Sequence, residues 1–230
     1  GPAEGEALVA ARPDKLFFTG SVPTGKKIVA AAAEHLVPLE LELGGKDPML
    51  VFADAPFERA VNGAVYGAFV NAGQACVSVE RVYVEAAIYE RFVAAVTEAT
   101  LKLRVGSGRA VELGPLIRPA QCDWVEAHVD DALQQGARLT TPRERVGNRL
   151  GPLVLRDVTH AMRVMTEETF GPVLPIMPFR TEAEAIELAN ATRYGLNASV
   201  WTRDQARAER VVRALVVGSC AVNDVLKNIA

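Results

Sequence analysis

Short apolar runs alternate along most of the chain with stretches whose apolar positions recur every three or four residues. That rhythm predicts strands separated by helices, the pattern of an α/β fold with much parallel pairing. Residues 15–19 read as a strand, 25–36 as an Ala-rich helix and 38–43 as the next strand, stopped by Gly44 and Gly45. Such a strand–helix–strand unit is a βαβ crossover. The pattern then restarts with a strand over 48–52, a helix over 56–70, a Val-rich strand over 79–84 and an amphipathic helix over 89–103. A loop over 106–118 leads to a helix over 119–135 that closes at Gly136. Residues 140–151 are polar and rich in turn formers, as in a hairpin tip or surface loop. Residues 173–179 form a strand whose Pro175 and Pro178 predict a sheet edge or an irregularity. Thr181 and Glu184 make a capping box for a helix to 191, and Asp204 caps a helix to 215 between strands over 198–201 and 218–223. The chain opens in what reads as the tail of a helix (6–11) and stops soon after a strand, so it is expected to be cut at both ends.

Composition narrows the function classes. Half of the 230 residues are apolar, 23% are charged and the formal net charge is -3, as in an ordinary globular protein of one large or two modest domains. No basic stripe predicts nucleic acid, no apolar run approaches the roughly 20 residues of a membrane span, and the start lacks a signal-peptide pattern. The cysteines, Cys76, Cys122 and Cys220, are odd in number and lack a C-x-x-C spacing. That argues against a disulfide framework or a zinc site and points to a reducing cytoplasm. His35, His128 and His160 have no ligand-like spacing and read as surface or interface residues, so no metal site is expected.

Four segments could carry chemistry. Cys76 follows Asn71-Ala72-Gly73-Gln74-Ala75 at an apparent helix break. A thiol whose thiolate is favoured by local N–H groups and dipoles is a nucleophile; a thiol without them is a small buried hydrophobe, and both readings stay open. Glu42 ends an apolar strand, where ligands bind in open α/β sheets. There it is either a general base or an edge glutamate in water, and Glu40 shares its face. Gly20-Ser21-Val22-Pro23-Thr24-Gly25 joins a strand to a helix and could offer N–H groups to phosphate. Glu167-Glu168-Thr169-Phe170-Gly171-Pro172 is either a helix end and turn or a carboxylate placed to accept from a ribose diol.

Taken in order, Phe18-Thr19-Gly20-Ser21 with Gly25, Leu41-Glu42-Leu43-Gly44-Gly45-Lys46, Asn71-x-Gly73-Gln74-x-Cys76, Glu168-x-Phe170-Gly171-Pro172, Tyr194-Gly195-Leu196 and Val222-Asn223 resemble the landmarks of the aldehyde dehydrogenase superfamily. The resemblance covers nearly the whole chain. It implies that Cys76 is the catalytic thiol and Glu42 the base that activates the deacylating water. It implies NAD or NADP as cofactor, with Gly20, Ser21 and Gly25 beside the pyrophosphate. Leu43, Glu168 and Phe170 would then lie at the nicotinamide end. The implied reaction oxidises an aldehyde to an acid through a thiohemiacetal and a thioester on Cys76. Retention of Glu42 favours hydrolysis over acyl transfer to coenzyme A.

The family chain is about twice this length. The resemblance therefore implies a fragment: residues 1–43 as the end of a Rossmann-like nucleotide-binding domain, and 44–230 as a parallel-sheet catalytic domain truncated at its end. Alone, it is expected to have little activity and to expose surfaces that are normally covered. The parent is expected to be a homo-oligomer, dimer or tetramer, acting on a small-molecule aldehyde. Val222-Asn223-Asp224-Val225 resembles members that act on medium-chain or aromatic aldehydes. Two other readings compete. Cys76, Glu42 and Lys46 are the residue types of a nitrilase-like amidase, and a non-catalytic relative would keep the fold without a reactive thiol.

Overall fold

A computed structural model describes residues 1–227, which fall into two compact units, Gly1–Gly44 and a larger one that starts at Gly45. In the first unit, helix α1 (Pro2–Ala10) precedes strand β1 (Leu16–Gly20), helix α2 (Val22–Ala33) and strand β2 (Leu39–Leu43). β1 and β2 pair in parallel from Leu16↔Leu39 to Gly20↔Leu43, the predicted βαβ crossover. α2 starts three residues before the predicted Gly25, because Ser21 takes the N-cap position and Pro23 fits the first turn, where its missing N–H costs nothing.

The second unit begins with strand β3 (Asp47–Val51), helix α3 (Phe57–Phe69), strand β4 (Val79–Glu85), helix α4 (Tyr89–Leu101) and helix α5 (Pro119–Gln134). Short strands β5 (Arg138–Leu139), β6 (Arg145–Val146), β7 (Arg149–Leu150) and β8 (Leu153–Arg156) follow, then helix α6 (Arg163–Thr166) and strand β9 (Val173–Phe179). Helix α7 (Glu182–Asn190), strand β10 (Asn197–Trp201), helix α8 (Gln205–Ala214) and strand β11 (Ser219–Val222) complete it. Seven strands form one sheet in the order β11-β10-β3-β4-β9-β8-β5, parallel except for β5 against β8. β6 and β7 make the predicted hairpin tip, turned by Gly147 at φ 63°.

Alternation along the strands sorts the core into two layers. Met49, Val51, Val82, Val84, Val154 and Trp201 pack with α3 and α4, whereas Leu50, Tyr83, Leu153, Leu155 and Val200 pack with α5, α7 and α8. A parallel sheet covered on both faces reads as continuous apolar runs, which is why β3 and β10 are buried throughout.

Two expectations need correction, and three short elements went unpredicted. β9 is central, between β4 and β8, not at an edge. It tolerates two prolines because its pairing is staggered: Pro175 lies opposite Leu155 of β8 before pairing with β4 begins at Ile176. Pro178 lies opposite Val84 of β4 after pairing with β8 has ended. β5, β8 and α6, at two to four residues each, are too short to leave a period in the sequence. His128 is not a surface residue: it is fully buried on the inner face of α5.

Candidate active site

The larger unit brings two of the predicted segments together. α3 runs into a 3-10 turn, Val70–Gly73, in which Asn71 (φ 53°), Ala72 (φ 55°) and Gly73 (φ 72°) are all left-handed. A non-glycine residue held there costs about 1–3 kcal/mol and persists only where its surroundings fix it. Here Asn71 Nδ2 donates to the Gln74 carbonyl at 2.9 Å and Gln74 Nε2 donates to the Asn71 carbonyl at 3.0 Å. Gln74 Oε1 in turn accepts from the Ile117 N–H at 3.0 Å. The turn delivers Cys76, half-buried, just ahead of β4. Burial pushes the Cys122 thiol up and the Cys220 thiol up to about 11, so neither of those is poised as a thiolate.

The turn leans on the second segment. A Cβ on Gly73 would overlap the carbonyl of Gly171, so the two backbones meet directly. A Cβ on Gly45 would collide with Asp47 Oδ1 and lie 2.8 Å from the Cys76 carbonyl oxygen. The Glu168 carboxyl lies close enough to the Gly45 N–H and the Lys46 charge for both to favour its ionised form. Cys76, Gly45, Glu168 and Phe170 thus belong to one neighbourhood built by the approach of glycines.

Residues 168–170 are held through their backbone. The N–H of Glu168 donates to Tyr194 Oη at 3.3 Å, and Trp124 Nε1 donates to the Glu168 carbonyl at 3.2 Å. Gln121 Nε2 donates to the carbonyls of Thr169 and Phe170 at 3.0 and 3.1 Å. The N–H groups of Thr169 and Phe170 donate to the two oxygens of Glu80, each at 2.8 Å. Phe170 is left-handed, at φ 50°.

Beneath the loop lies a buried charged network. Lys46 Nζ donates to Glu80 Oε2 at 2.6 Å and to Thr169 Oγ1 at 2.9 Å, with the Lys46 side chain wholly inaccessible. An amidase would need this amine at its substrate, and the pair with Glu80 commits it elsewhere. Arg81, also buried, donates to the Lys46 carbonyl at 2.8 Å and to the Ala189 carbonyl at 2.9 Å. His128 Nδ1 lies 3.2 Å from Thr169 Oγ1, and Nε2 lies 3.5 Å from Glu167 Oε2, too far for a good hydrogen bond. Burial, reinforced by the Lys46 and Arg163 charges, holds the imidazole pKa well below its usual range. Burial, then the Glu80 charge, pushes the Glu168 carboxyl up to about 7, against the pull of Lys46 and the Gly45 N–H. Among the described residues no group of three or more His, Cys, Asp and Glu is placed to hold a metal.

The smaller unit carries the remaining predicted residues. Parallel register sets Thr19 beside Glu42 and Gly20 beside Leu43 at the carboxyl ends of β1 and β2. Glu42 and Glu40 are both exposed, and Glu40 pairs with Lys15 at 2.9 Å. Ser21 Oγ caps α2 by accepting from the Thr24 N–H at 3.4 Å. Gly25 is buried, and a Cβ there would come within 2.8 Å of Leu43 Cδ2, so this glycine brings α2 close onto β2.

A family model described as "Aldehyde dehydrogenase family" matches residues 1–230. The chain belongs to the aldehyde dehydrogenase family. It is 52% identical over 225 residues to a 4,4'-diapolycopene aldehyde oxidase of Methylomonas sp, covering 98% of this chain and 42% of that protein. It is 44% identical to a betaine aldehyde dehydrogenase of Cereibacter sphaeroides, covering 96% of this chain and 47% of that one. The solved NADP-dependent glyceraldehyde-3-phosphate dehydrogenase of Bacillus halodurans C-125, complexed with NADP, matches with TM-score 0.95 and 39% identity over 99% of this chain and 48% of its own. This aldehyde dehydrogenase chain therefore spans about half the length of the curated relatives it matches.

Lys46, Glu80, Gln121 and Thr169 are absent from the site predicted for this aldehyde dehydrogenase chain. A signal for Glu80 was present: Glu80-Arg81 interrupts a Val-rich central strand, and charges buried there need partners. The sequence does not say which partners, since Lys46 lies 34 positions upstream of Glu80 and Thr169 lies 89 downstream.

Proposed function

We propose that these residues are the catalytic part of a longer NAD(P)-dependent aldehyde dehydrogenase that oxidises an aldehyde to a carboxylic acid. The observation that carries this reading is the meeting of the strained turn before Cys76 with the clamped loop of Glu168 and Phe170. Relatives named for aldehyde substrates support it, as does a solved betaine aldehyde dehydrogenase from Staphylococcus aureus in complex with NAD+, 34% identical over 98% of this chain. The residues of the larger unit suit a nicotinamide riboside: a half-buried carboxylate, Glu168, to accept from a ribose diol, and an aromatic ring, Phe170, two residues on.

The Cys76 thiolate adds to the aldehyde carbon, and the carbonyl oxygen becomes an oxyanion that N–H donors, including that of Cys76, stabilise. A nicotinamide cofactor, when bound, would supply the hydride acceptor; loss of hydride from the former aldehyde carbon re-forms the C=O and leaves a thioester on Cys76. Glu42 takes a proton from water as its oxygen attacks the thioester, the acid leaves and the thiolate is restored. In the smaller unit Gly20, Ser21, Gly25 and Leu43 would hold the cofactor's phosphate side, and in the larger unit Glu168 and Phe170 would hold its nicotinamide end. The parent is a cytoplasmic homo-oligomer, in keeping with the few, scattered cysteines. The 230 residues alone are inactive because they span only part of the family length.

The test is Glu42→Gln in the full-length enzyme. It should retain a pre-steady-state burst of reduced cofactor of about one equivalent, while steady turnover falls by about 10²–10⁴. Cys76→Ser should lose both. An intact steady rate in Cys76→Ser would sink the reading.

A further inference from the structure

We propose that Glu80 is a positioning residue for cofactor binding: its carboxylate, neutralised by Lys46, holds residues 168–170 in the conformation that presents Glu168 and Phe170. This rests on the reading that those two side chains meet the nicotinamide end of the cofactor.

Glu80 sits in a central strand and is 4% exposed. Its Oε1 accepts from the Phe170 N–H, and its Oε2 accepts from the Thr169 N–H and from Lys46 Nζ. Successive N–H groups beside a left-handed residue form a concavity that suits an anion. Phe170, at φ 50°, supplies that residue, and the protein fills the concavity with its own carboxylate. A buried ion pair is a weak source of stability, since well-packed apolar residues of the same volume often do as well. Two directed acceptors are what apolar residues cannot supply. Lys46 also donates to Thr169 Oγ1, so the cation is tied to the same loop. Gln121 holds the carbonyls of residues 169 and 170 from the other side. Released from Glu80, Phe170 is free to return to ordinary backbone angles, and both side chains move with it.

Glu80→Gln in the full-length enzyme keeps one acceptor and turns an amide N–H2 towards the second donor. The KM for NAD(P)+ should rise at least tenfold. The rate at which iodoacetamide alkylates Cys76, followed by mass spectrometry of its peptide, should stay within twofold. A merely structural role would shift both readouts together, and that result overturns the proposal. If Glu80→Gln does not fold, Glu80→Leu combined with Lys46→Met removes both charges at once and should fold while showing the same rise in KM. Failure of both variants to fold also overturns the proposal, because the pair would then be a folding element. Phe170→Ala separates the two levels. If it leaves the cofactor KM unchanged, the assignment of the loop to the cofactor falls. If it raises KM and the Glu80 variants do not, the clamp falls alone.

Discussion

Gly73 presses its Cα against the carbonyl of Gly171, so the turn that delivers Cys76 and the loop that carries Phe170 touch backbone to backbone. A side chain on Gly73 would force them apart, whereas one on Gly171 would run into Val125 of α5. Gly73→Ala adds a Cβ to a left-handed residue and drives it into that carbonyl. Its cost should be at least about 2 kcal/mol, seen as a lower urea midpoint. Cys76 alkylation should slow in the same variant. An unchanged midpoint would mean that the contact is not needed.

Glu168 titrates near neutrality, with its carboxyl pushed up to about 7 by burial and by Glu80. A ribose diol donates to the ionised form. The KM for the cofactor should therefore fall as pH rises through about 7 and level off above it. Glu168→Gln should have a higher KM that no longer changes over that range. A wild-type KM flat from pH 6 to 8 (a generic assay range) would contradict the assignment.

Two buried groups tilt stability in opposite directions. His128 has a pKa below its ordinary 6.5, chiefly through burial, so the folded state binds its proton less tightly than the unfolded chain. Its contribution is present above 6.5 and is lost as pH falls towards the folded value. Asp47 is the reverse: burial raises its carboxyl well above 3.8, and Oδ2 has no hydrogen-bond partner. Its contribution is present below 3.8 and is lost as pH rises towards the raised value. Thermal unfolding against pH should show His128→Gln flattening the acid limb and Asp47→Asn flattening the decline towards higher pH. Unaltered limbs in both variants would show that other groups set the pH dependence.

Much of this architecture is written locally. The Val-rich run over 79–84 and the helical periods over 56–70 and 89–103 fix β4, α3 and α4 within a residue or two, because each element must bury one face or both. Caps at Ser21, Thr181 and Asp204 are equally local, each a side chain bonding an N–H three residues on. Cys76 and Glu168 stand out for similar reasons, as reactive groups beside glycines at element ends.

Tertiary structure decided what lies far apart in the chain. It admitted two prolines to a central strand by staggering its neighbours, and it buried His128 against Thr169, 41 positions away. It set Glu80 beneath Phe170, giving a carboxylate in the middle of an apolar strand two backbone amides and a lysine as partners. A residue's own neighbours in sequence fix its backbone preference and the face it turns inward. Which charge meets which amide across 90 positions is settled only when packing excludes water and leaves each buried polar group to find a partner.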